Sequence, residues 1–372
     1  MIKIGITGQS GFIGTHLFNF FGLMKEEVTR VPFEDSFFDT EEKLDSFARE
    51  CGVIIHLAAL NRHNNQDTIY RTNILLVEKL IAALERTGSR PHILFASSTQ
   101  EEKDNIFGKS KREGREKLAE WAYRNNARFT GLIIPNVFGP FGHPYYNSVV
   151  ATFSHQLTHG ETPRIETDAP LKMIYINDLV RVIYSVIAGK VTDSQYRIKN
   201  TAEITVSSLL SKLGKFRELY FDNGIFPDLS DDMDRELFST FMCYIDHEKH
   251  FPVRLKKNSD DRGSFTEILK LYSRGQVSFS DTKPGITRGN HFHTRKLERF
   301  AVIKGRALIQ LRRTGTDKVF NFELDGDNPS FVDMPVWYTH NITNTGSEDL
   351  YTLFWTNELF DPADPDTYFE AV

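Results

Sequence analysis

Short runs that are apolar on both faces alternate with stretches of helical period through the first half of the chain. IKIGIT (Ile2 to Thr7) opens the pattern and a helix is predicted from about Phe12; VIIHLAAL follows, then a helix over Ile74 to Arg86, HILFASS, a helix over Lys111 to Tyr123, and FTGLIIPNVFG. Strands apolar on both faces are covered on both faces, and helices between them are crossovers. The order therefore specifies an α/β, Rossmann-type, doubly wound parallel sheet. From about Phe265 the texture changes to short alternating strands punctuated by Gly, Pro, Asn and Asp, the pattern of an all-β sandwich or small barrel. The acidic stretch DLSDDMDREL and the mixed segment Asp246 to Asn258 lie between the two textures. The boundary is placed near 250, with domains over 1–248 and 249–372.

Composition agrees with two cores, since 372 residues at 40% hydrophobic exceed what one core usually serves. The formal charge of -5 and the lack of a long Lys/Arg block argue against nucleic acid as a partner. Cys51 and Cys243 are the two cysteines, which gives neither a disulfide framework nor a thiolate zinc site and fits a reducing compartment. The chain enters a strand at once, without a basic stretch and apolar signal core, and no apolar run is long enough for a bilayer. A cytoplasmic protein with no membrane partner is expected.

The first strand runs into GITGQSGFIG, with Gly8, Gly11 and Gly14 at the strand end and helix start and Phe12 and Ile13 between the last two. Glycine lets the chain turn tightly and approach a pyrophosphate, whose charge then sits on the free N–H groups of the helix N-terminus. The spacing is GxxGxxG, and its strand-then-helix context predicts a nucleotide site. About 20 residues on, VPFEDS offers an acid for a ribose 2′-hydroxyl, while nearby Arg30 is a cation for a 2′-phosphate. NAD and NADP both remain open at this point.

HLAAL at 56–60, ASS at 96–98 and FGKSK at 107–111 each stand at or near the carboxyl end of a predicted strand. In this arrangement residues 1 to about 245 resemble the extended short-chain dehydrogenase/reductase family of nucleotide-sugar enzymes. PNVFGP at 135–140 resembles that family's Asn-Val-Tyr-Gly-Pro segment, and YINDLV at 175–180 its later Asp-containing segment. The resemblance implies a cofactor wall at Leu57, Ala58 and Ala59 and a reaction centre containing Ser98 and Lys111, with Lys111 also on the cofactor ribose. It implies a substrate side at Asn136, and the segment at Tyr145, Tyr146 and Asn147 reads as substrate-loop material. Where the family has the Tyr of YxxxK, this chain has Phe107. A phenol there gives its proton to the carbonyl oxygen as hydride arrives; a phenyl ring cannot, so reduction is expected to be impaired.

In the second half, GITRGNHFHTRKLERFAVIKG carries His291, His293 and Glu298. Residues two apart on a strand share a face, so the two imidazoles point into a barrel together, and Glu298 can join them from the next strand. Later PVWYTHNITN supplies His340. Three imidazoles and a carboxylate suit Zn, Ni, Fe or Mn better than Ca or Mg. Both segments resemble the two motifs of the cupin superfamily, which marks His340 as the fourth ligand; the second motif departs from the pattern where Trp337 replaces a glycine.

DDRGSFTE at 260–267 and TRGNHFH around His291 resemble the deoxysugar epimerases of that superfamily, which act on 4-keto sugars, and Tyr338 is a candidate acid with packing as its other reading. A reductase joined to a cupin epimerase resembles, over nearly the whole chain, the family of bifunctional capsular-polysaccharide enzymes; FDPADPDTYF near the C-terminus is a further likeness. That resemblance implies C3 epimerisation of a UDP-2-acetamido-2,6-dideoxy-4-hexulose and then NADPH-dependent C4 reduction, giving UDP-N-acetyl-6-deoxy-L-talosamine on the way to UDP-N-acetyl-L-fucosamine. It also implies a UDP-amino-sugar substrate, zinc in the cupin and a homodimer. Both reactions need the C4 carbonyl, so epimerisation comes first. The rival expectations are an epimerase whose dinucleotide domain does not reduce, a cupin that binds a ligand without turnover, and an iron-dependent cupin oxygenase.

Overall fold

The computed structural model describes residues 1–261 and 263–372. Arg262, within the DDRGSFTE segment, lies outside the described residues. Contacts divide the chain into two compact units, one of Met1–Phe138, Gly142–Ser148 and Ala169–Thr205, the other of Gly139–Phe141, Val149–Asp168 and Val206–Val372. The change in sequence texture near 250 marks where strands replace helices; contacts gather the helices Val206–Phe216 and Asp232–Met242 with the strands that follow them.

The first unit begins β1 (Ile2–Thr7), α1 (Phe12–Gly22), β2 (Val28–Val31), α2 (Glu41–Glu50), β3 (Val53–His56), α3 (Gln66–Thr87), β4 (His92–Ser98), α4 (Ile106–Arg124) and β5 (Phe129–Ile134). The strands stand in the order β2-β1-β3-β4-β5, closed by Asp193–Arg197, and every pair is parallel. This is the doubly wound sheet expected from the alternation. β3 is buried at every position and β4 at all but its last, because helices cover both faces. The chain leaves β1 in one direction to β2 and crosses back to β3 on the other side. That reversal opens a crevice at the carboxyl ends of β1 and β3, the place where such sheets bind ligands.

Two helices begin earlier than their apolar period suggests, at Gln66 instead of Ile74 and at Ile106 instead of Lys111. In each case an asparagine caps the helix: Asn65 accepts from the Asp67 N–H at 2.9 Å and Asn105 from the Gly108 N–H at 2.7 Å. The added first turn of α4 puts Phe107 and Lys111 one helical turn apart on the same element.

The second unit holds two five-stranded sheets. One runs Val253–Arg254, Ser330–Met334, Glu298–Lys304, Leu350–Thr356, Gln276–Thr282; the other runs Val319–Asp325, Arg306–Arg313, Tyr338–Asn344, Thr287–Phe292, Tyr368–Phe369. All pairings within these two sheets are antiparallel. Phe300, Val302, Ile309, Leu311, Val332 and Ile342 are among the residues of the common core, the two-sheet arrangement of a cupin barrel.

On the strand Glu298–Lys304 side chains alternate, so Arg299 turns away from the face that Glu298 and Phe300 occupy. Its guanidinium makes a two-point pair with Asp333 at 2.7 and 2.8 Å, and the Tyr220 hydroxyl donates to the same carboxylate at 2.5 Å. The cation lies 3.5 Å from the Phe331 ring centroid and 4.7 Å from that of Phe226. All three polar groups are buried, so this cluster fixes how the helical turn carrying Tyr220 and the short strand Ile225–Phe226 after it seat on the sheet. Asp333→Ala leaves a buried guanidinium unpaired, and urea denaturation of the full chain should show a loss of about 3–5 kcal/mol. Replacing both partners by Met and Leu should cost distinctly less.

Candidate active sites

The crevice of the first unit is a cleft of about 1260 Å³, larger than the roughly 300–1,000 Å³ of an ordinary small-ligand pocket. Gly8, Gly11, Phe12, Ile13 and Gly14 line it, as do Leu57, Ala58 and Ala59, Ser98 and Phe107, and Asn136, Tyr146 and Asn147. Of the candidates named in this half, Lys111, Arg30 and Tyr145 are not on the cleft wall; the others face this one cavity. Gly8 has φ +71°, and a Cβ on it would sit 2.9 Å from the Ala58 backbone; a Cβ on Gly14 would meet the Gly8 carbonyl at 2.3 Å. Those two glycines are required by the turn and by the close approach of α1, which leaves the helix N-terminus open toward the cleft. The cradle fits a dinucleotide pyrophosphate.

Two adjacent serines end β4 and have different surroundings. The Ser97 hydroxyl donates to Glu101 at 2.5 Å, and Glu101 is paired with buried Arg115 at 3.1 and 3.2 Å. Ser98 instead lines the cleft and accepts from the Gln100 N–H at 3.2 Å. Phe107 forms wall on the other side of this turn. Lys111 is buried beside it, its Nζ 5.8 Å from the Phe107 ring centroid and 5.1 Å from that of Phe95. Burial among these rings pushes the Lys111 amine down to about 8. His56 is a buried core histidine, hydrogen-bonded through Nδ1 to Thr7 at 2.8 Å while its Nε2 has no hydrogen-bond partner, and burial and the charge of Lys111 push it down to about 3.

In the second unit His291, His293, Glu298 and His340 each bring one ligand atom to a common point, all within 4.8 Å of one another. His291 sits opposite His340 in the strand pair, just past a bulge at Gly289 to His291 with Asn290 at φ +60°; bulges of this kind re-aim side chains. His293 follows the strand end, and Glu298 opens the next strand. Glu298 Oε2 lies 3.2 Å from His293 Nε2 and 3.0 Å from His340 Nε2.

The far nitrogens of two rings are committed. His293 Nδ1 donates to the Asp366 carbonyl at 2.5 Å and His340 Nδ1 to the Tyr338 carbonyl at 3.0 Å, which turns both Nε2 atoms inward. These Nε2 atoms and Glu298 Oε2 are buried without hydrogen-bond partners. Burial, then the neighbouring His340 and His293, push His291 down to about 4. Burial opposes the charge on His293, yet Glu298 raises it, and the two imidazoles hold the Glu298 carboxyl well below its usual range against its own burial. Inward lone pairs on a neutral-nitrogen and carboxylate set suit a transition metal ion.

Trp337, in place of the motif's glycine, still takes the left-handed conformation, at φ +63°. Its N–H donates to the His293 carbonyl at 2.7 Å, its carbonyl accepts from Thr314 at 2.9 Å, and its ring stacks on Phe292. The turn shape survives because these contacts outweigh roughly 1–2 kcal/mol of backbone strain. Tyr338 packs its ring on His247 and Phe141. Burial pushes its hydroxyl far up, and the charges acting on it belong to Cys243 and Arg313.

Sequence reasoning missed Asp366. Its carboxylate accepts from the Thr294, Arg295 and Lys296 N–H groups at 3.0–3.2 Å and from the Thr294 hydroxyl at 2.6 Å, while its carbonyl holds His293. The Asp- and Pro-rich run FDPADPD was its only signal.

Residues 4–201 match the model of the NAD dependent epimerase/dehydratase family, and residues 258–368 match the polysaccharide biosynthesis C-terminal domain. The chain is 32% identical over 369 residues to the UDP-2-acetamido-2,6-beta-L-arabino-hexul-4-ose reductase of Pseudomonas aeruginosa, covering 99% of this chain and 98% of that one. It is similar to the crystal structure of the capsular polysaccharide assembling protein CapF from Staphylococcus aureus, at 34% identity and TM-score 0.63 with both chains fully covered. RMD from Pseudomonas aeruginosa, solved with NADPH, shares the fold over 59% of this chain and 83% of its own, at 18% identity and TM-score 0.53. Among the described residues no helix is long and apolar enough to cross a membrane.

The Asp366 clasp generates a direct expectation. Asp366→Ala removes the acceptor of four hydrogen bonds and frees the segment that orients His293, so metal affinity measured by chelator competition should fall roughly 10–100-fold. Unchanged affinity would remove Asp366 from the support of the site.

Proposed function

Because the chain belongs to the NAD dependent epimerase/dehydratase family, and within it to the bifunctional capsular-polysaccharide enzymes with a C-terminal cupin, we propose that it converts a UDP-2-acetamido-2,6-dideoxy-4-hexulose in two steps. The cupin epimerises C3; the dinucleotide domain then reduces C4 to give UDP-N-acetyl-6-deoxy-L-talosamine. The observation that carries this reading most is the presence, in one chain, of the glycine-cradled cleft and the three-histidine, one-glutamate centre. The hexul-4-ose reductase of Pseudomonas aeruginosa, similar along its full length, supports the substrate class.

A ketone at C4 makes the C3 hydrogen acidic, so a proton can leave from one face and return on the other if the enolate is stabilised. His291, His293, Glu298 and His340 would hold a divalent ion, zinc by the family resemblance, and the bound ion supplies positive charge against an enolate. The barrel core beside them is apolar, Phe300 standing against the His340 ring at 5.6 Å, which keeps bulk water from that side. Tyr338 is read as a packing residue, on the strength of its His247 and Phe141 contacts.

In the first unit, the glycine turn, Leu57, Ala58 and Ala59 would hold the nicotinamide dinucleotide, which supplies hydride. Ser98, on the cleft wall, would hydrogen-bond the C4 oxygen. Phe107 gives that oxygen no proton, and Lys111, buried behind it, has no phenol to act on. Reduction is then slow beside epimerisation. A second reading is favoured by Phe107 alone: the dinucleotide domain holds the sugar nucleotide and does not reduce it.

The reductase reading is tested with Phe107→Tyr, which should raise dinucleotide consumption with the 4-keto sugar by roughly 10²–10⁴; an unchanged rate would contradict the role given to position 107. The epimerase reading is tested by NMR in heavy water without dinucleotide. Deuterium should enter C3, and both His340→Ala and metal removal should abolish its entry. Exchange that survives both would sink the cupin assignment.

A further inference from the structure

We propose that the dinucleotide cleft selects the form of the cofactor with a free 2′-hydroxyl, NADH, and that Asp35 is the selecting residue. The inference rests on the reading of this cleft as a nicotinamide dinucleotide site, and it departs from the NADPH that the family resemblance implies.

In a doubly wound site the adenine-side ribose reaches the end of the second strand, about 20 residues past the glycine turn. Here β2 ends at Val31, and the chain then runs along the cleft in a 3-10 turn over Asp35–Asp39. Asp35 and Asp39 both line the cleft. Two contacts tie this segment to the glycine turn itself: the Ser10 hydroxyl donates to Asp35 Oδ2 at 3.2 Å, and the Phe33 N–H donates to the Gln9 side-chain oxygen at 3.3 Å. The Asp35 carboxylate is thereby held beside the turn that would carry the pyrophosphate, where a ribose hydroxyl can donate to it.

A 2′-phosphate in the same place needs a cation, and each nearby cation is committed elsewhere. Arg30 is absent from the cleft wall; its guanidinium lies 4.1 Å from the Phe18 ring centroid and donates to the Phe18 carbonyl at 3.0 Å. Lys43 has its Nζ 5.5 Å from the Phe37 ring centroid and is also absent from the wall. Lys79 does line the cleft, but its Nζ donates to the Phe38 carbonyl at 2.7 Å and stands 3.5 Å from Asp39. Asp35 and Asp39 against Lys79 leave this stretch of wall net negative, so a phosphate dianion meets like charge while a hydroxyl gains an acceptor.

Fluorescence or calorimetric titration of the full chain with NADH and with NADPH, at one fixed salt concentration, tests this without turnover. The dissociation constant for NADH should be lower by roughly tenfold or more, the worth of one hydrogen bond to a charged group. Asp35→Asn should weaken NADH, strengthen NADPH and bring the ratio toward one, and Asp35→Ser, which removes the carboxylate with a smaller side chain, should do the same. Wild-type NADPH binding as tight as NADH, or a ratio unmoved by both substitutions, would overturn the selection and leave the cleft's assignment standing. Binding of neither dinucleotide would overturn the assignment and the selection together.

Discussion

Two backbone carbonyls set the chemistry available to the C-terminal half. By accepting from Nδ1 of His293 and of His340, the carbonyls of Asp366 and Tyr338 fix the rotation of both rings and leave Nε2 facing Glu298. Without them the rings could turn, and the four candidate ligands would not converge. One of those carbonyls is a strand neighbour of its histidine. The other comes from 73 residues away, on a segment that the Asp366 carboxylate clasps to the first motif. The same segment bonds the strand between the ligands, the Glu370 N–H donating to the Asn290 carbonyl at 3.0 Å. The barrel thus uses its last residues to brace the centre, as supporting contacts around metal ligands commonly do.

The N-terminal half relies on a different constraint, the approach of α1 to the strand ends through Gly8 and Gly14. Its cleft is lined by the glycine turn and the strand ends, its serine is separated from the Ser97–Glu101–Arg115 cluster, and its lysine is buried one turn beyond position 107. The missing element is a proton donor at that position. The two halves are therefore unequal: one has its complete set of candidate ligands with inward lone pairs, the other has binding surfaces around an incomplete reaction centre. On this account epimerisation runs ahead of reduction, which is also the order the C4 ketone demands.

Much of this was legible along the chain because it is local. Alternation of buried strands and helices gave the parallel sheet, the glycine spacing gave the turn, and the two histidine segments gave all four candidate ligands. Helix starts at Gln66 and Ile106 were missed because single asparagine caps set them, ahead of any apolar period. Trp337 put the second motif's turn in question; contacts from His293 and Thr314, distant in sequence, hold it left-handed. Asp366, Arg299 with Asp333, and the Ser10 tie to Asp35 escaped notice for one reason. Each is a polar pairing across at least 25 residues, and a charged residue read alone looks like solvated surface. Tyr338 had two readings from sequence, and its aromatic surroundings favour packing.

The proposed function puts a competent C3-exchange centre and a slow C4 reductase on one chain. It is tested most directly by an NMR time course of the 4-keto sugar in heavy water with reduced dinucleotide present, following C3 deuterium and C4 reduction in the same tube. Deuterium should reach C3 well before C4 is reduced, and the reduced product should carry C3 deuterium. Reduced product that retains protium at C3, or reduction that outruns exchange, would contradict it.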